Sequence, residues 1–283
     1  MSAQPLIDAA TLASRISGPR TVVVDCRFNL LQPEAGRVEY ERGHIPGARY
    51  ADLDRELARA PDGTEGRHPL PDADVLAARL GQWGIDRQST VVAYDEGGGG
   101  IAARLWWLLR WLGHNDCQLL DGGFKTWCAA GLPVETTTPV WQGARFELQG
   151  IRRDWVASTE EVRALPPSTL LLDVRAAPRY RGEQEPIDPV AGHVPGAVNW
   201  PFANALTSEG TFRPAAELKR ELEALMGGRA PEQVVAMCGS GVTACHLLLA
   251  MRVAGLGDGR LYAGSWSEWI RDPDRPVKSG AAP

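Results

Sequence analysis

Short apolar runs punctuate the chain at Val22–Val24, Val91–Ala93, Leu170–Leu172 and Val234–Met237, each bounded by turn-forming residues. Runs of this length, rich in β-branched residues and without apolar–polar alternation, are the pattern of strands buried on both faces. Between them lie segments such as Ala73–Trp83 and Ala215–Met226, where apolar residues recur at helical spacing. Buried strands alternating with amphipathic helices predict an α/β fold of parallel strands joined by right-handed helical crossovers.

The pattern occurs twice. The first half reads TVVVDCR (21–27), GHIPGA (43–48), TVVAYDEGGGG (90–100) and LLDGGFKTW (119–127); the second reads TLLLDVR (169–175), GHVPGA (192–197), QVVAMCGSG (233–241) and LYAGSWSEW (261–269). Four blocks in the same order, with His44 matched to His193, Asp95 to Cys238 and Trp127 to Trp269 at nearly constant offset, mark a tandem duplication. The expected organisation is a first domain over residues 1–135, a linker over 136–154 that contains TTTP and no clear period, and a second domain over 155–283. The closing KSGAAP is expected to fray.

Composition narrows the chemistry. The formal net charge is −5, with no block of like charges, which disfavours nucleic acid and anionic membrane as partners. No apolar stretch is long enough for a membrane span and the first residues lack a basic-then-apolar leader, so a cytoplasmic protein is expected. Five cysteines (Cys26, Cys117, Cys128, Cys238, Cys245) leave at least one free thiol, and no CxxC pair is present, so no structural zinc site is expected. Cys245 and His246 adjoin within an apolar helical pattern and read as packing residues rather than ligands. No metal or organic cofactor is implied.

Open parallel sheets place their sites beyond the carboxyl ends of the strands, where loops lead into helices. In the second half the strand ending at Met237 runs into Cys238, Gly239, Ser240, Gly241, Val242 and Thr243, with a helix expected from about Ala244. Gly239 and Gly241 allow the backbone to curl so that N–H groups face the sulfur, and the helix dipole adds positive potential there. Such surroundings favour a thiolate or a persulfide anion and make Cys238 a nucleophile. The equivalent turn of the first half holds Asp95 followed by EGGGG and no thiol, so that half is expected to be catalytically silent. A phosphatase loop would place an arginine at the sixth position after the cysteine; that position is Ala244.

These blocks together, over about residues 5–275, resemble the two-domain rhodanese superfamily, and CGSGVTA is similar to its 3-mercaptopyruvate sulfurtransferase branch. The resemblance implies two tandem rhodanese-like domains, each a parallel sheet flanked by helices, and transfer of sulfur from 3-mercaptopyruvate through a Cys238 persulfide. The acceptor would be a thiol such as thioredoxin or glutathione, or cyanide. Thiosulfate as donor, and a persulfide carrier or redox sensor, are the alternatives. Matching the branch residue by residue assigns an orienting acid to Asp52, a histidine to His68 and a proton relay to Ser240. It assigns an anion contact to Arg179, with Gly239, Gly241, Val242 and Thr243 lining the donor site. A second arginine that the branch would use beside Arg179 is absent, and Ile187 stands in its place. His44 and His193, present in both halves, are read as structural partners of the Asp25/Arg27 and Asp173/Arg175 pairs.

Overall fold

The computed structural model describes residues 4–283, which divide into two compact units. In the first, strands β1 (Leu6–Ile7), β2 (Thr21–Asp25), β3 (Arg49–Tyr50), β4 (Thr90–Tyr94) and β5 (Cys117–Leu120) form one parallel sheet in the order β1-β5-β4-β2-β3. In the second, β6 (Leu170–Asp173), β7 (Val198–Asn199), β8 (Val234–Met237) and β9 (Arg260–Leu261) form a parallel sheet in the order β7-β6-β8-β9. The four apolar runs lie in β2, β4, β6 and β8, interior strands of the two sheets, where burial on both faces favours continuous apolar side chains.

The amphipathic segments form the helices Ala73–Gln82 and Ala215–Met226. In the latter Leu218, Leu222 and Met226, one turn apart, are the buried stripe, and the helix stops where Gly227 turns left-handed. The duplicated tryptophans close equivalent cores. Trp127 and Trp269 are buried and donate their indole N–H to the carbonyls of Pro133 and Pro276.

The GHxPGA blocks are built alike. Arg27 grips the Asp25 carboxylate and donates Nη2–H to the carbonyl of Gly43 at 2.7 Å, while Arg175 does the same between Asp173 and Gly192. His44 stacks on Tyr40 and donates Nδ1–H to its carbonyl; His193 stacks on Tyr180 and donates likewise. Each histidine also forms an isolated antiparallel bridge, His44 with Glu135 and His193 with Lys278. That bridge corrects the expectation of a frayed tail: Lys278 exchanges backbone hydrogen bonds with His193, and Gly280 N–H is donated to the carbonyl of Arg181.

Residues 136–152 carry no helix or strand, yet they hold to the first unit. Ala144, Gln149 and Arg152 donate their N–H groups to Gly81, Leu112 and Trp111, and Phe146 is buried. Residues 60–69 group with the second unit and residues 208–212 with the first. Among the described residues no helix is long and apolar enough to cross a membrane.

Candidate active site

Strand β8 delivers Cys238 to the carboxyl edge of its sheet, and the helix Ala244–Val253 begins just beyond. Cys238 is only 2% exposed. Its Sγ accepts the N–H of Gly241 at 3.1 Å, so the loop returns a backbone donor to the sulfur from which it departs. Gly241 sits at φ +76°, and a Cβ there would lie 2.4 Å from the carbonyl oxygen of Ala263, so both the turn and the close approach require glycine. The carbonyls of Val242 and Thr243 accept the N–H groups of Cys245 and His246 and open the helix.

The LYAGSWSEW block underpins this loop. Cys238 N–H is donated to Ser265 Oγ at 3.0 Å, and that hydroxyl donates in turn to the carbonyl of Tyr262. The carbonyls of Cys238 and Gly239 accept the N–H groups of Trp266 and Ser267. Ser265, fully buried at φ +53°, holds a left-handed backbone for which a non-glycine residue is unusual. The sequence pattern flagged the block as a repeat but did not reveal Ser265 as a support. Its signal is that a buried N–H beside the nucleophile needs an acceptor.

Residues 60–69 bring His68 into the same unit. Gly66 N–H is donated to Glu268 Oε2 and Arg67 N–H to Ser267 Oγ. These bonds set His68 Nδ1 2.7 Å from Ser240 Oγ, with both residues buried. Asp52 lies in the first unit, where its Oδ1 accepts the N–H groups of Asp54 and Arg55.

Two guanidiniums converge beside the nucleophile. A Cβ built on Gly239 would be 3.4 Å from Arg67 Nη2, 3.6 Å from Arg179 Nη1 and 3.7 Å from Arg179 Nη2. Arg67 Nη1 donates to Asp188 Oδ1 at 2.7 Å, and Arg179 Nη2 donates to Asp188 Oδ2 at 3.0 Å and to Glu185 Oε1 at 2.7 Å. Arg67 Nε is buried without a hydrogen-bond partner. Ile187 is 36% exposed and contributes its backbone N–H to Glu185 Oε1. Ile187 supplies no cation, and the guanidinium that stands with Arg179 beside Gly239 is that of Arg67, directly before His68. Its signal in the sequence was a lone arginine inside the same GRHPLP stretch.

The equivalent turn of the first half holds a carboxylate in its cradle. Asp95 Oδ1 accepts the N–H of Gly99 at 3.0 Å, and Oδ2 accepts those of Ile101 and Ala102 at 2.9 and 3.1 Å. A carboxylate thus fills the turn at the start of the helix Ala102–Trp111, where the dipole and free N–H groups favour an anion. Burial nevertheless pushes the Asp95 carboxyl upward, against these donors. Cys26 is a different case. It is fully buried and burial holds its thiol well above the ordinary range, so it stays protonated.

A family model described as a rhodanese-like domain matches residues 8–130 and again 158–272. The chain is 50% identical over 283 residues to a Pseudomonas aeruginosa protein named "Probable 3-mercaptopyruvate sulfurtransferase", covering 99% of this chain and 100% of that one. It is 34% identical to the thiosulfate sulfurtransferase of Rattus norvegicus, over 96% of this chain and 93% of the relative. Among solved structures, the 3-mercaptopyruvate sulfurtransferase from Leishmania major superposes with a TM-score of 0.84 at 29% identity, over 95% of this chain and 76% of that one.

Proposed function

The chain belongs to the rhodanese-like family, and from that premise we propose that it is a sulfurtransferase that takes sulfur from 3-mercaptopyruvate onto Cys238 and passes it to a thiol. The observation that carries this reading is the loop from Cys238 to Gly241, in which a backbone N–H meets the sulfur, Ser240 bonds His68 and two guanidiniums stand beside Gly239. A compact dianion such as thiosulfate needs cations alone. An α-keto acid also needs a hydrogen-bond donor for its carbonyl and a proton source for the enolate.

The Cys238 thiolate attacks the donor sulfur, and the S–C3 bond breaks with its electron pair moving into the keto acid. Gly241 N–H supports the new persulfide. The departing enolate of pyruvate takes up a proton, and Ser240, hydrogen-bonded to His68, is placed to supply it or to polarise the keto oxygen. The family resemblance gives Asp52 an orienting role in the reaction; its Oδ1 accepts the N–H groups of Asp54 and Arg55. Arg67 and Arg179 face the substrate carboxylate, the paired contact that a single arginine could not make. In the second half-reaction an acceptor thiolate attacks the outer sulfur and Cys238 leaves as the thiolate. Thioredoxin or glutathione fits that step, and cyanide would yield thiocyanate. No organic cofactor is needed, and a reducing compartment such as the cytoplasm suits the free thiol.

Steady-state transfer to cyanide from 3-mercaptopyruvate and from thiosulfate tests the assignment. The wild type should show the higher kcat/KM with 3-mercaptopyruvate, and Cys238→Ser should lose turnover with both donors. Retained turnover in that variant would contradict the reading. A wild-type preference for thiosulfate would instead support the second reading, which the Rattus norvegicus relative's name favours.

A further inference from the structure

We propose that the buried acidic pair Glu185 and Asp188 sets the charge of the donor that the site accepts, selecting monoanionic α-keto thiols over dianionic thiosulfate; this rests on the reading that Cys238 takes sulfur from 3-mercaptopyruvate. Two arginines beside a nucleophilic sulfur would by themselves present two positive charges, a match for a dianion. Here they do not act alone. Asp188, with its side chain 2% exposed, lies between them and accepts from Arg67 at 2.7 Å and from Arg179 at 3.0 Å. Glu185, 4% exposed, takes Arg179 Nε and Nη2 and lies 3.5 Å from Arg175 Nη1. Arg175 is already matched by Asp173 at 2.6 Å, so its charge does not tip the balance. Counted formally, the two guanidiniums at Gly239 meet two carboxylates.

The carboxylates do two things at once. They fix the guanidiniums by charge-assisted hydrogen bonds before a donor arrives, which preserves the geometry of the paired contact. They also lower the local positive potential, and a dianion feels that loss twice as strongly as a monoanion. Because Asp188 and Glu185 are buried, solvent and salt screen this effect far less than they would at the surface. Arg67 Nη2 stands beside Gly239 even while Nη1 is engaged by Asp188. Asp188 and Glu185 are thus positioning residues that act on the donor through Arg67 and Arg179.

The test is Asp188→Asn in the full chain, which removes one charge while keeping the size and one acceptor oxygen. Initial rates of transfer to cyanide would be compared for 3-mercaptopyruvate and thiosulfate, together with a thermal melt. The thiosulfate-to-mercaptopyruvate ratio of kcat/KM should rise about tenfold, chiefly through a lower KM for thiosulfate, and rates with thiosulfate should become more sensitive to ionic strength. An unchanged ratio, as when both donors lose activity equally, would reduce Asp188 to a strut for the arginines and overturn the proposal. Should Asp188→Asn fail to fold, Glu185→Gln removes the other charge and is judged by the same ratio. Absence of wild-type turnover with 3-mercaptopyruvate would overturn the reading beneath, and the proposal with it. A wild type active on 3-mercaptopyruvate with an unmoved ratio would overturn the proposal alone.

Discussion

At the scale of single residues, the site depends on positions where the backbone leaves no choice. Gly241 must be left-handed, must pass within contact of Ala263 and must aim its N–H at Cys238 Sγ. Gly241→Ala should lower stability by about 2–4 kcal/mol through backbone strain and the clash together. Sulfur transfer should fall more steeply than stability explains, because the donor to the persulfide moves. Urea unfolding and the cyanide assay in parallel would check this, and a fully active, equally stable variant would contradict it. Cys238 and the glycines were legible in the sequence because nucleophile and turn chemistry are local. Ser265 and Arg67 were not, because what identifies them is a distant partner: the Cys238 N–H for one, Gly239 and Asp188 for the other.

At the scale of elements, the two strand–loop–helix turns are a natural comparison. Asp95 follows β4 and Cys238 follows β8; Asp95 takes up N–H groups at the start of the following helix, and Cys238 takes up the N–H of Gly241 in the loop before its helix. Asp95 spreads over three donors from Gly99, Ile101 and Ala102, a wider wrap than the Gly241 contact at Cys238. The loop of the first half is therefore shaped around a carboxylate and offers no counterpart of Ser240. Asp95→Cys should gain no sulfur transfer approaching that of Cys238 when Cys238 is replaced by Ser. Appreciable turnover by this double variant in the cyanide assay would contradict the silence of the first half. Apolar runs and helical stripes made the central strands and the helix Ala215–Met226 legible. The two-residue strands β1, β3, β7 and β9 were not, since so short a pairing carries no period and depends on its neighbours.

At the scale of the whole molecule, duplication gave two units, one with Cys238 and the other with Asp95 at the equivalent turn. The repeat made that organisation readable, down to the matched tryptophans; the histidines of the GHxPGA blocks, expected to partner the Asp–Arg pairs, instead bond and stack on Tyr40 and Tyr180, while the arginines reach the carbonyls of Gly43 and Gly192. It did not show that residues 60–69 leave the first half of the chain to pack in the second unit. No periodicity encodes that course; it is fixed by Gly66 and Arg67 bonding to Glu268 and Ser267, and by the Arg67–Asp188 ion pair. Through it the first half of the chain contributes His68 and Arg67 to the surroundings of a cysteine in the second. One sulfur atom per chain is expected to pass through Cys238. Protein mixed with 3-mercaptopyruvate without acceptor, quenched and weighed intact, should gain a single sulfur atom that maps to the Cys238 peptide and matches the pyruvate released. Pyruvate release without that adduct, or sulfur carried on Cys26, Cys117, Cys128 or Cys245 instead, would contradict it.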